Sequence, residues 1–186
     1  MSQADKGNGA RDGLRGVAKK EAFHRAAEAA IHSFAFRRPD LEFPKEKKKI
    51  HVRLAGTNSC RASIQVLCNG GENNLHYHPN MDLIYMVLRG RIRFYGPGDK
   101  LLGEYGEMEG ILLPENSRYW FESVGDEEAH LLQIAGFPKG MDAPRRIALA
   151  EPKQADGGEG VWYDLTTGKT MSDAEHNELE KERTAR

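Results

Sequence analysis

At Ile50 the hydrophobic period of this chain changes from helical to two, and it stays near two as far as Ala135. Ile50, Val52 and Leu54 alternate with His51 and Arg53. Ala62, Ile64, Val66 and Cys68 alternate with Arg61, Ser63, Gln65 and Leu67. The densest apolar stretch, Leu83 to Leu88, ends at Gly90, and Ile92 and Phe94 then alternate with Arg91, Arg93 and Tyr95. Ile111 to Leu113 ends at Pro114, Tyr119 to Ser123 reads as another strand, and Ala129 to Ala135 as the last strong one. Turn-forming residues separate them at Gly70–Asn74, Gly96–Lys100 and Gly125–Glu128. Many short strands between Gly-rich turns predict an all-β sandwich or barrel over residues 50–136.

The flanks differ. Residues 1–16 are Gly- and polar-rich and are expected to be disordered. The segment 17–49 carries Phe23, Ala26, Ala27, Ala30, Ile31 and Phe34 at helical spacing, which predicts a helix over 19–34 packed on the barrel or on a partner subunit. Pro39 and Pro44 break the chain after it, and Lys45 to Lys49 reads as a solvated charge run. The remainder, 137–186, is expected to lie on the surface as an extension pinned by Trp162 and Tyr163. Ser172 and Glu175 have capping-box spacing ahead of a surface helix to which no function is attached.

The net charge of -1 argues against a globally basic nucleic-acid binder. No run approaches the roughly 18 apolar residues of a membrane span. Met1 to Lys6 has no apolar signal core behind it, so a cytoplasmic location is expected. Cys60 and Cys68 flank one predicted strand, about 26 Å apart if straight, so two free thiols are expected. No Gly-rich loop feeds a helix, no Ser sits in a nucleophile elbow, and the cysteines lack zinc-ribbon spacing. Exposed sheet edges need covering. The N-terminal helix and strand 50–54 are placed to cover a partner's edge, which predicts a homodimer.

The sharpest chemistry lies in Gly70 … His76-Tyr77-His78-Pro79-Asn80-Met81-Asp82. Histidines at i and i+2 on extended chain point the same way, so both can reach one ion about 2.1 Å from each nitrogen. The text GGENNLHYHPNMDLIYMVLRG resembles the first motif of the cupin family, with Gly70, His76, His78 and Gly90 on the family's positions. In YGEMEGILLPENSRYWFES, Pro114 fits the proline of the second motif. The resemblance covers roughly residues 50–136 and implies a double-stranded β-helix, the cupin or jelly-roll barrel, with an N-terminal helix and a C-terminal extension. It leaves the activity open, since this fold serves enzymes, storage proteins and ligand sensors.

The departures shape the functional reading. Leu83 stands where the family's ligand Glu would be, with Asp82 one residue earlier. Tyr119 takes the place of the second-motif His, Met108 and Asn116 take its two glycines, and Ser123 takes its Asn. Three readings stay open. A divalent ion (Fe, Mn, Ni, Cu or Zn) is held by His76, His78 and either Asp82 or a phenolate of Tyr119. Alternatively His130 supplies the third ligand, provided that Leu131 and Gln133 do not face inward. Otherwise the barrel holds a small organic molecule without a tight metal. His76, His78 and Tyr119 then bond to it within a cup lined by Leu83, Tyr85 and Phe121. The metal readings imply a dioxygenase or isomerase acting on a small organic substrate. Arg91 and Arg93 share a face opposite Ile92 and Phe94, and Phe121 is the expected pocket wall with Trp120 at an interface.

Overall fold

The computed structural model describes residues 19–41, 49–68, 70, 74–139, 146–150, 161–165, 167–172, 174–176, 178 and 179. The expected disorder over 1–16 lies outside these. The chain divides between Phe34 and Ala35 into two units. In the first, the helix spans residues 19–29 and not 19–34. Ala30 and Ile31 close it with i→i+3 bonds to Ala27 and Glu28, a tightened last turn. Phe23, Ile31 and Phe34 are exposed.

The second unit is built from twelve strands among the described residues: β1 Lys49–Gly56, β2 Cys60–Leu67, β3 His76–Tyr77, β4 Asp82–Arg89, β5 Ile92–Tyr95, β6 Leu101–Tyr105, β7 Gly110–Leu113, β8 Trp120–Ser123, β9 Ala129–Gly136, β10 Ile147–Ala148, β11 Val161–Asp164 and β12 Lys169–Met171. One sheet runs β12-β11-β1-β2-β9-β4-β7. The other combines β6-β5-β8 with the pair β10-β3, joined by the antiparallel bridge His76–Tyr119. β11 lies parallel to β1, with Trp162 opposite His51. The edge of β1 expected to meet a partner subunit is therefore occupied by the chain's own C-terminal extension.

The inner face of the large sheet is buried, and so is its outer face around β1 and β2. Between the sheets, Leu67, Leu83, Tyr85, Val87, Ile92, Phe94, Tyr119, Phe121 and Leu131 form the main core. On the outer face, Ile50, Val52, Ile64 and Val66 form a second cluster covered by Phe36, Leu41, Leu132, Tyr163 and Leu165. Burial of two faces turns the polar members of the alternation inward: Ser63 and Gln65 share the face of Leu67 and are buried. Segment 35–41 is held to the barrel by Arg38, whose guanidinium donates to Glu128 at 2.8 Å and to the Leu41 carbonyl at 2.8 Å.

Four turns of the barrel carry left-handed backbone, at two glycines and at two residues with side chains. Gly70 and Gly90 have φ of 94° and 77°, and Met108 and Asn116, standing in for two glycines, have φ of 64° and 65°. Such left-handed conformations favour glycine and cost a side-chain-bearing residue about 1 kcal/mol or more. Gly110 is required for a different reason: a Cβ there would lie 2.0 Å from the Tyr85 carbonyl oxygen across the β4–β7 pair.

Candidate functional site

The candidate site lies where β3 and the residue before β8 face β4 and β9. His76 is 3% exposed, His78 8% and Tyr119 1%. The two imidazoles lie 5.3 Å apart, centroid to centroid, and perpendicular, with the Tyr119 ring 4.4 Å from His76. Backbone bonds of 3.0 and 3.1 Å between His76 and Tyr119 hold them in register, and the Asn116 amide donates to the His78 carbonyl at 2.7 Å. His76 Nδ1 donates to the Asn74 carbonyl at 2.8 Å. A carbonyl only accepts, so the proton is on Nδ1 and Nε2 carries the lone pair. Burial, with the Arg146 cation next in weight, pushes the His76 pKa down to about 2, so the ring is neutral.

Tyr119 shares a 3.1 Å hydrogen bond with Tyr85, and Gln133 Nε2 donates to the Tyr85 hydroxyl at 2.9 Å. Gln133 Oε1 in turn accepts from Ser63 at 3.3 Å and from Gln65 Nε2 at 3.4 Å. A polar chain thus crosses the interior from one sheet to the other. Beneath it, Phe94 and Phe121 stack 5.1 Å apart and each lies within 5.5 Å of Tyr85, an apolar floor. Gln65 Oε1 is buried without a hydrogen-bond partner.

The remaining expected ligands stand on different sides of the barrel wall. Asp82 is exposed, and its Oδ1 accepts from the Glu115 amide at 2.9 Å, so it secures the loop after Pro114 and faces away from the histidines. Leu83 takes the inward position, 1% exposed. His130 fails as a third ligand because Leu131 and Gln133 point inward. It lies on the outer side, donating from Nε2 to Glu128 at 2.6 Å and stacking edge-on to Phe36. For Tyr119, burial, with the neighbouring Tyr85, pushes the pKa well up, which opposes the phenolate that a metal site would need. Burial likewise raises Tyr85 to about 12. Both phenols take part in hydrogen bonds through their hydroxyls.

A metal of the kind cupins hold therefore meets an incomplete donor set. His76 and His78 supply two nitrogens, and among the described residues no group of three His, Cys, Asp or Glu side chains could hold an ion. Leu83, an alkyl group, occupies the inward place of the missing carboxylate.

Compared with solved structures, the chain superposes on a double-stranded β-helix protein of Klebsiella pneumoniae with a TM-score of 0.50 at 12% identity, covering 65% of this chain and 100% of that one. The barrel has the cupin fold. An RmlC-like cupin protein of Methanocaldococcus jannaschii matches at 16% identity and TM-score 0.47, over 57% of this chain and 91% of that one. A structure described as oxalate oxidase matches at 18% identity and TM-score 0.46, over 61% of this chain and 63% of that one. No family's sequence profile matches the chain, and no curated protein matches it. At these identities the likeness extends to the cupin fold alone.

Other expectations resolve by position. Arg91 and Arg93 lie outside and share Glu104, each 2.7 Å from it. Phe121 is inside, while Trp120 is covered by its own chain, stacked on Tyr95 at 4.1 Å and donating to Asp99 at 2.9 Å. Cys60 and Cys68 are free thiols. The capping box forms, with the Ser172 amide donating to Glu175 at 2.7 Å and the Glu175 amide to Ser172 at 3.3 Å. The helix that follows is not merely a surface element, because His176 is 3% exposed and stacks on Trp162 at 3.5 Å. No helix among the described residues is long and apolar enough to cross a membrane.

Sequence reasoning missed Ser63, Gln65 and Gln133. Their signal is the register itself: each pairs across the sheet with an inward residue.

Proposed function

We propose that this cupin barrel binds a small polar organic molecule between its sheets, with His76, His78, Tyr85 and Tyr119 as hydrogen-bonding groups over a floor that includes Leu83 and Phe121. The observation that carries the reading is Gln65 Oε1, a buried acceptor left unpartnered at the end of the Ser63–Gln133–Tyr85–Tyr119 chain. An acceptor in that state costs about 1–3 kcal/mol, which a ligand donor would offset. The metal-dependent dioxygenase or isomerase reading is less supported, because it needs a third ligand where Leu83 stands.

The test is a ligand-observed NMR screen of polar small molecules against the untagged chain, repeated on Tyr119→Phe. Tyr119→Phe removes one hydroxyl and keeps the ring. Hits that lose affinity for the variant support an internal site. Hits that bind both proteins equally, or no hits at all, overturn it. We further place the protein in a cytosolic setting as a homodimer. The outer face of β4 and β7 leaves Ile84, Leu88 and Leu112 exposed, a patch suited to a second copy. A light-scattering mass of twice 20.8 kDa is expected, and a mass equal to 20.8 kDa contradicts the dimer.

A further inference from the structure

Among the described residues, the outer face of the large sheet is covered over β1 and β2 and open beyond them. Leu132 of β9 packs against the outer cluster with Phe36 and Leu41, and it pairs with Met86 of β4. In the next row Ile134, Ile84 and Leu112 stand abreast on β9, β4 and β7, and Leu88 continues the outward row of β4. Ile84, Leu88 and Leu112 are exposed, and β7 is the last strand of its sheet. An apolar patch beside an open sheet edge is a surface that proteins cover.

The chain carries a second apolar surface that is exposed. Phe23, Ala26 and Ala27 share one side of the helix 19–29, and Ala30, Ile31 and Phe34 follow it; all six are exposed. A helix of 11 residues is marginal in water and takes its stability from packing an apolar side. With side chains a helix is about 10–12 Å across, which matches the roughly 10 Å from β9 across β4 to β7.

Charge separates two kinds of cover, a second patch or a second helix. Residues 107–115, which include β7, hold Glu107, Glu109 and Glu115 and no Lys or Arg. Asp82 opens β4 beside them, with its Oδ1 on the Glu115 amide at 2.9 Å. A patch laid on a patch brings these carboxylates against their own kind. The helix opens with Lys19 and Lys20, one turn before Phe23 and on its side, so it brings cations to them.

We propose that the N-terminal helix of each copy docks on the outer face of β4 and β7 of a second copy. Phe23 and Ile31 lie against Ile84, Leu88 and Leu112, and Lys19 and Lys20 lie toward the carboxylates of residues 107–115. This rests on the reading of the protein as a homodimer and names what covers the patch. The exchange is reciprocal about one two-fold axis, so it closes at two copies.

The experiment is light scattering of the full chain at micromolar concentration, with two double variants at exposed residues whose fold is checked by thermal unfolding. The parent is expected at twice 20.8 kDa. Phe23→Ser with Ile31→Ser, and separately Ile84→Thr with Leu112→Thr, are each expected to weaken the dimer by about a hundredfold or more. Mixing the two variants is expected to raise the mass again, because one keeps an intact sheet face and the other an intact helix. Amides of residues 19–29 are expected to exchange slowly in the parent and fast in the monomeric Ile84→Thr, Leu112→Thr chain. A helix variant that stays dimeric, a mixture that stays monomeric, or slow exchange in that monomer overturns the docked helix and leaves the homodimer standing. A parent mass equal to 20.8 kDa overturns both.

Discussion

Replacing Gln65 by Met should stabilise the ligand-free protein. The side chain is 4% exposed, and its Oε1 has no partner. Removing an unsatisfied buried acceptor recovers about 1–3 kcal/mol. Against this, Gln65 Nε2 gives up its bond to Gln133, which at 3.4 Å is long and is worth less than about 1 kcal/mol. Gln133 Oε1 keeps its 3.3 Å bond from Ser63, so no new orphan appears there. Met is close to Gln in shape and adapts to the adjacent Leu67 and Leu131. The balance is a gain of about 1 kcal/mol, or roughly 2–4 °C in Tm for a chain of this size. Urea and thermal unfolding of dialysed protein at pH 7 measure it. A loss of about 1 kcal/mol or more would show that Gln65 is fully satisfied without a ligand. Gln65 would then give no support to an internal ligand.

Two further outcomes follow from packing and charge. His51 and His76 are held neutral, chiefly by burial, with folded pKa values below the unfolded 6.5. Their contribution is complete above pH 6.5 and is lost as pH falls, down to about 2 for His76, at up to about 1.4 kcal/mol per pH unit for each ring. Urea midpoints should therefore drop between pH 7 and pH 5, and His76→Phe should flatten that slope; equal slopes in the two proteins would contradict the assignment. Gly110→Ala should cost about 3 kcal/mol or more, because its Cβ meets backbone 2.0 Å away that cannot turn aside. Unchanged thermal unfolding in that variant would refute the close β4–β7 approach.

Strand alternation made most of the barrel legible, because β1, β2, β4, β5 and β9 each bury one clear apolar row. It could not show which side of β2 faces the pocket. Ile64 and Val66 look like the inward row, yet Phe36 and Leu41 cover them outside, and the polar Ser63 and Gln65 face in. Strand β6 escaped because Leu101 and Leu102 are both exposed and do not alternate. The pairing of β11 with β1 joins residues far apart in the chain and leaves no local periodicity. At the site, the i, i+2 histidines and the count to Tyr119 were readable. Asp82 and His130 were separable from the pocket only by register. The left-handed backbone of Met108 and Asn116 shows why a lost glycine pattern did not mean a lost turn.

In the proposed function the histidine pair lines an organic pocket in place of a complete metal centre. The most direct measurement is elemental analysis of the untagged chain after incubation with Fe(II), Mn(II), Ni(II), Cu(II) or Zn(II) and dialysis, beside His76→Ala and His78→Ala. Metal well below one equivalent is expected for each ion, with no difference between parent and variants. Near-stoichiometric metal in the parent, lost in both variants, would contradict it.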